Sequence, residues 1–253
     1  MGIAVITGSA SGIGACVKTR LEAQGFRIIG IDVKDAEIIA DLSSREGRDT
    51  AIQTALDMSE GKIDRLVLAA GLGGHVDSGQ LVARVNYFGA VELLDGFKDA
   101  LEAASGRVVV ISSNSAQMRT DPNSDIVRSL LDGNENGAMQ YIGDSHGAIV
   151  YGQSKHAVAR AVRRRAAEWG KAGIVLNAIA PGMTETPLFR GAADHPTIGK
   201  SVEAIPIPAD RVASADEIAG VIDFMLSDAA SYMQGSIIYV DGGTDAQLRP
   251  DAF

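Results

Sequence analysis

The chain has a single cysteine, few aromatic residues (5%, with one tryptophan) and no excess of positive charge. A lone cysteine excludes an intramolecular disulfide and suits a reducing compartment such as the cytoplasm. Cys16 falls in an apolar helical pattern, so it reads as a small core residue rather than a nucleophile. A formal charge of −9 argues against a nucleic-acid partner, which needs a basic stripe to neutralise phosphates. The one basic cluster, Arg163 to Arg165, reads as a solvated helix face. No apolar stretch approaches the roughly 18 residues that cross a bilayer. No charged-then-apolar leader precedes the first strand-like run, so neither a membrane partner nor a signal peptide is expected. The histidines His75, His146, His156 and His195 show no metal-ligand spacing, and no metal is expected.

What is present is a globular composition, 46% hydrophobic and 22% charged over 253 residues, enough to bury a substantial core. The runs GIAVIT, RIIGID, RLVLAAG, RVVVISS, IVLNAIAP and SIIYVDGG are continuously apolar, as strands covered on both faces are. Amphipathic segments lie between them, among them GIGACVKTRLEAQG, REGRDTAIQTALDMSEG and LVARVNYFGAVELLDGFKDALEAA. Alternation of strand and helix predicts parallel pairing through right-handed crossovers, hence an α/β fold with a doubly wound parallel sheet. With no internal repeat or linker, residues 1–253 read as one domain. Two longer segments interrupt the alternation, 119–148 and 184–214, the first with one short helical pattern, DIVRSLL. Both leave the carboxyl ends of strands, where open α/β sheets bind ligands, and both read as segments covering a substrate.

The first strand runs into TGSASGIG, Thr7 to Gly14. Gly8 permits a tight turn, Gly12 lets backbone approach a pyrophosphate, and Gly14 lets the following helix pack close to the strand. The phosphates would sit at the positive end of that helix. Asp32 ends RIIGID, about twenty residues past the glycines, where a carboxylate can accept both ribose hydroxyls and repel a 2′-phosphate. Neighbouring Ser9, Ala10 and Val33 offer no cation for such a phosphate, and Lys34 reads as solvent-directed, so NAD is the cofactor predicted. The plain alternative for Asp32 is a strand-end turn residue.

YGQSKHAVARAVRRRAAEWG opens on Tyr151 with Lys155 one helical turn on, so both side chains point into the same space. That spacing is either an accident or a way to make a phenol acidic. A free tyrosine titrates near roughly pH 10, and an adjacent ammonium lowers that value. Tyr151 then serves as acid for ketone reduction and as base for alcohol oxidation. Of the five tyrosines it alone has a lysine four residues on.

The glycine spacing, the Tyr-x-x-x-Lys pair and a preceding serine together resemble the short-chain dehydrogenase/reductase family, and the resemblance covers essentially the whole chain. It implies a Rossmann-type dehydrogenase in which Gly8, Ser11, Gly12, Ile13 and Gly14 hold the cofactor loop and Asp41 and Leu42 meet adenine. Ser113, from VVVISS, would hydrogen-bond the substrate oxygen, while Ser112 reads as a strand end satisfying its own backbone. Lys155 would also hold the nicotinamide ribose, with Asn86, from VNYFGA, supporting a water-linked proton relay. Pro181 and Gly182 would turn the chain across the nicotinamide, with Thr186 near its carboxamide or the pyrophosphate and backbone near Ile179 assisting. One departure is LAAGLGG, where the family usually has Asn-Asn-Ala-Gly. Ala69 and Ala70 cannot supply side-chain hydrogen bonds there, although Gly71 still lets backbone pass the ribose.

The segment between Ser113 and Tyr151 is longer than the family's usual dozen or so residues. With GIDVKDAEIIADLS and the ending DGGTDAQLRPDAF, it is similar to a bacterial subgroup, the 3α-hydroxysteroid dehydrogenase/carbonyl reductases. That resemblance implies a secondary alcohol/ketone pair on a 3α-hydroxysteroid or similarly bulky cyclic substrate. A smaller terpenoid or aromatic alcohol is the alternative; a non-catalytic dinucleotide sensor would have no need of Ser113, Tyr151, Lys155 and Asn86 together. Pro187, Leu188, Phe189, Ile198, Val202, Ile205 and Ile207 form either an apolar wall over such a substrate or packing beneath the lid. Arg190 and Arg211 read as isolated. The family mostly pairs through the helices carrying Asn86 and Tyr151. The insertion would obstruct that pairing, so the expected homo-oligomer is a dimer, rather than a tetramer, assembled through the C-terminal region.

Overall fold

The computed structural model describes residues 2–118, 121 and 123–252; residues 119, 120 and 122, at the start of the long insertion, lie outside the described residues. In chain order the strands are β1 (Ile3–Thr7), β2 (Arg27–Asp32), β3 (Ile38–Ile39), β4 (Arg65–Leu68), β5 (Arg107–Ile111) and β6 (Val175–Pro181). They are followed by a short parallel pair, β7 (Thr184–Glu185) with β8 (Ala213–Ser214), and by β9 (Ile237–Val240). The main sheet is parallel throughout in the order β3-β2-β1-β4-β5-β6-β9, so the winding reverses between β1 and β4. That crevice is where an open α/β sheet takes a ligand.

Helices α1 (Gly12–Ala23) and α2 (Arg45–Met58) make the first crossovers. The segment 81–104, expected as one helix, is divided into α3 (Gly79–Ala83), a π-turn (Arg84–Phe88), α4 (Gly89–Gly96) and α5 (Lys98–Ala104). The π-turn holds Asn86 at its centre; such turns recur at functional sites because they displace one residue from the helical ladder. After β5 come α6 (Ser115–Met118), α7 (Asp125–Leu131), α8 (Glu135–Ile142) and α9 (Gly147–Lys171). The DIVRSLL pattern is α7, and α8 is an addition to what periodicity showed. After β6 come α10 (Pro187–Ala193), α11 (Gly199–Glu203), α12 (Ala215–Leu226) and α13 (Thr244–Leu248).

Side chains alternate along each strand between two faces, and each face has its own core. One face sets Val5, Leu66, Val108 and Leu176 against Val82, Leu93, Phe97, Val158 and Trp169. The other sets Ala4, Ile6, Val67 and Val109 against Val17, Leu21, Ile218 and Ile222. Cys16 packs half-buried against this second cluster, and burial raises its thiol pKa, which fits a packing residue. The insertion is not simply a cover over the substrate. Val127, Leu130, Ala138 and Ile142 are buried in the first core against α3 and α9. A fully buried side chain of this kind contributes about 1.5–3 kcal/mol, so the insertion is built into the domain. Among its described residues only Ala148 lines the crevice.

Candidate active site

At the carboxyl ends of the strands lies a cleft of about 1240 Å³, larger than the usual range of roughly 300–1,000 Å³ for one small ligand. Its first wall is the loop between β1 and α1. Gly8 has φ +69°, and a Cβ there would stand 2.8 Å from the Ala70 nitrogen. A Cβ on Gly14 would stand 2.1 Å from the Gly8 carbonyl oxygen, so α1 closes on the loop as only glycine permits. Ser11, Gly12 and Ile13 line the cleft with them, and Gly12 faces the Thr186 methyl group. Ala69 and Ala70 carry no amide side chain, yet the turn is secured from the opposite strand. The Thr7 hydroxyl accepts a hydrogen bond from the Ala70 N–H at 3.1 Å.

Asp32 ends β2 with one carboxylate oxygen accepting from Val33 N–H (2.7 Å) and the other from Ala10 N–H (3.1 Å). It thereby binds the glycine loop to the strand end and lines the cleft beside Val33, Asp41 and Leu42. The described cleft residues beside it, Val33, Asp41, Leu42 and Ser43, include no cation. Lys34 is exposed, and Lys18 is paired with Glu37 at 2.8 Å. Glu37 also accepts from Gly30 N–H, and these bonds outweigh its burial and lower its pKa.

The reacting end is built by β5, α6 and α9. Helix α9 begins four residues before Tyr151, capped by His146, whose Nδ1 accepts from Ala148 N–H. Tyr151 thus lies in the second turn, half-buried on the cleft wall. Its phenol is hydrogen-bonded with Ser113, and the Ser113 oxygen accepts from the Ser115 hydroxyl at 2.8 Å. Lys155 is buried, and its Nζ donates to the Ile111 carbonyl at 2.8 Å. Ser112 does not satisfy its own backbone as expected; its hydroxyl donates to the Lys155 carbonyl (2.9 Å), fastening α9 to β5.

The direction of the Tyr151 shift is opposite to the sequence expectation. Burial pushes the Tyr151 phenol up, and the hydrogen bond with Ser113 only partly counters it. Burial also pulls Lys155 down to about 8. Desolvation disfavours phenolate and ammonium alike, and here it exceeds the attraction that helical spacing suggested.

Most of the anticipated residues are brought together: Gly8, Ser11, Gly12, Ile13, Gly14, Asp32, Asp41, Leu42, Gly71, Ser113, Tyr151, Lys155, Pro181, Gly182 and Thr186 all line the cleft. Asn86 stands behind the wall, buried. Its side-chain oxygen accepts from Leu72 N–H (2.7 Å) and its amide donates to the Leu72 carbonyl (3.0 Å). Ile179 is fully buried within β6 and its carbonyl accepts from Ser112 N–H, so its backbone serves the sheet rather than the cleft. From the lid, Pro187, Leu188, Phe189, Ile198, Val202 and Ile205 face the cleft, whereas Ile207 packs against Gly242. Arg190 and Arg211 are not isolated but paired with Glu185 and Glu217.

Residues that sequence reasoning missed also line the cleft: Met118 from α6, Ile149 and Gln153 from α9, and Leu248 with Arg249 from the C-terminal end. No local pattern marks Leu248 and Arg249. The Thr244 hydroxyl, donating to the Pro206 carbonyl at 2.8 Å, ties α13 to the lid and brings them there.

The family pattern described as short chain dehydrogenase matches residues 2–124, and that described as enoyl-(acyl carrier protein) reductase matches residues 136–245. The chain is 45% identical to 3-alpha-hydroxysteroid dehydrogenase/carbonyl reductase of Comamonas testosteroni over the full length of both chains. It is 31% identical to levodione reductase of Leifsonia aquatica, covering 96% of this chain and 94% of the relative. The solved 3-alpha-hydroxysteroid dehydrogenase from Pseudomonas sp. B-0831, complexed with NADH, superimposes over all of both chains with a TM-score of 0.97 at 38% identity. Sequence, fold and the arrangement of the cleft thus converge, and the chain belongs to the short-chain dehydrogenase/reductase family.

Proposed function

We propose that the protein is an NAD(H)-dependent oxidoreductase that interconverts a 3α-hydroxysteroid, or a similarly bulky cyclic alcohol, and its ketone. The observation that carries the chemistry is the hydrogen bond between the Tyr151 phenol and Ser113 on the wall of a cleft whose other end is the glycine loop. The residues fit the cofactor. Gly8 and Gly14 lie where a Cβ would collide with backbone, Asp32 offers a carboxylate to the adenosine ribose, and the described cleft residues beside it, Val33, Asp41 and Leu42, offer no cation to a 2′-phosphate. Bound there, the nicotinamide supplies the hydride for reduction and accepts it in oxidation.

In the reductive direction Ser113 and Tyr151 bind the substrate oxygen, and Tyr151 transfers its proton to that oxygen as the carbonyl carbon becomes tetrahedral. In oxidation the proton returns from the alcohol to the Tyr151 oxygen as the C–H bond breaks. Lys155, on the same helical face and held by the Ile111 carbonyl, orients the reacting end and would hold the nicotinamide ribose. Asn86 acts from behind by holding Leu72 in the cleft wall. A ring substrate is supported by the apolar side chains of Phe189, Val202 and Ile205 over the cleft and by the Comamonas relative.

The partner for assembly is a second copy of the chain. Helix α9 is covered by its own insertion, α7, so that face is closed to pairing. The edge strand β9 and helix α12 remain, with Phe224 and Tyr232 exposed, and a dimer forms there. Among the described residues no helix is long and apolar enough to cross a membrane. The lone Cys16 suits the cytoplasm.

The test is NADH production across 3α- and 3β-hydroxysteroids, monoterpenols and aryl alcohols, with NADP⁺ as the control cofactor. Turnover on 3α-hydroxysteroids with NAD⁺ is the expected result. Turnover on the small alcohols alone would keep the mechanism and overturn the substrate class.

A further inference from the structure

Among the described residues Arg48, on α2, is the charged side chain most completely withdrawn from solvent, with no exposed surface. It sits outside the reacting end, yet all of its partners are specific. Nε and Nη2 donate to Glu92 of α4 at 2.7 and 3.4 Å, and Nη2 also donates to Glu135 of α8 at 2.5 Å. Nη1 donates to the backbone carbonyl of Leu42 at 3.2 Å. The guanidinium also lies over the Phe88 ring, 6.0 Å from its centroid. Arg84 adds a further ion pair to Glu135 at 3.2 Å.

Leu42 belongs to the cleft wall, beside Asp41 and Ser43. Its neighbours leave its backbone little room. A Cβ on Gly47 would stand 2.0 Å from the Asp41 carbonyl, and one on Gly89 would stand 3.1 Å from Leu42 Cβ. Arg48 completes this confinement and adds a connection that packing alone would not require. Glu135 comes from the insertion 119–148, whose last residue, Ala148, lines the same cleft beside Ile149 of α9. One buried guanidinium therefore links the wall at the adenine end to the segment that leads into the Tyr151 helix.

We propose that Arg48 is a positioning residue for cofactor binding: clamped by Glu92 and Glu135, it fixes the Leu42 carbonyl and so makes adenine affinity depend on the insertion. The inference rests on the reading that Asp32, Asp41 and Leu42 form the adenosine site. A guanidinium suits the task because its rigid fork reaches three elements at once, which the single ammonium of lysine cannot. With two carboxylates around it, the buried charge is compensated; with one removed, the fork is free to turn from Leu42 toward the partner that stays.

The test uses the whole enzyme and two probes, ADP-ribose for the adenine half and reduced nicotinamide mononucleotide for the other. Glu135→Gln keeps the shape of the side chain and removes one anion from the rim of the network. It should weaken ADP-ribose binding by about five- to tenfold, leave the mononucleotide unchanged, and leave kcat at saturating NADH intact. Glu135→Asp, which retains the charge, should recover part of the loss, and it carries the same comparison if Glu135→Gln fails to fold. Arg48→Lys should show the same split more strongly. A fall in melting temperature with ADP-ribose affinity unchanged, or equal weakening of both probes, would overturn the proposal. A wild-type chain that bound no ADP-ribose would overturn the adenosine reading itself; the comparison among variants bears on the clamp alone.

Discussion

At the scale of single residues, the site is governed by desolvation. Tyr151 is held in its protonated form through neutral pH, the form needed to reduce a ketone. Reduction should therefore persist at neutral pH, whereas alcohol oxidation, which needs the proton withdrawn, should accelerate as pH rises toward 10. Initial rates in both directions across that range check this. Tyr151→Phe should keep NADH binding and lose turnover by several orders of magnitude; near-normal activity would exclude Tyr151 as the proton carrier. Lys155 makes a separate prediction about stability. Its pKa falls from an ordinary 10.5 to about 8 in the folded chain, so between those values the unfolded chain binds more protons. Stability should accordingly rise with pH across that window, by on the order of 3 kcal/mol from this residue. Denaturant midpoints of the wild type and Lys155→Met at pH 7 and above pH 10 should show the rise in the first and its absence in the second.

At the scale of elements, the glycine loop and the lid have opposite tolerances. The loop is confined by backbone. Gly14→Ala would press a methyl group against the Gly8 carbonyl, where a Cβ stands 2.1 Å away, and no flexible side chain can give way. A loss of about 1–3 kcal/mol and a raised Kd for NADH are expected, read from a denaturation curve and a fluorescence titration. The lid is anchored through backbone at its base, where β7 pairs with β8 and Ala209 N–H donates to the Gly242 carbonyl, and α10 above the cleft is the looser part. None of the residues of α10 is fully buried, and Phe189 meets the cleft directly. Phe189→Ala should raise KM for ring substrates with little change for a short-chain alcohol, and a substrate series separates the two.

At the scale of the whole molecule, the insertion decides what the surface can do. By laying Val127 and Leu130 into the core beside α9, it covers one face of that helix. The proposed dimer then depends on α12 and β9. Phe224→Lys, at a side chain 48% exposed, should leave the fold and cofactor binding intact and shift the sedimentation profile to a monomer. A profile unchanged by that substitution would move the interface elsewhere.

What the sequence by itself determined is whatever depends on neighbours along the chain. Continuously apolar runs marked all the main strands except two-residue β3, because residues buried on both sides must be apolar wherever they finally sit. The glycine loop, Asp32 and the Tyr151–Lys155 spacing were legible because turn geometry and helical period fix them locally. The tertiary structure alone decided the rest. Burial is a property of the assembled fold, so the raised Tyr151 and lowered Lys155 pKa values could not be read from a spacing of four. Arg48 looked like any helical arginine until Leu42, Glu92 and Glu135 surrounded it. Leu248 and Arg249 reached the cleft only because α13 folds back against the lid, a contact 38 residues apart in sequence that no periodicity encodes.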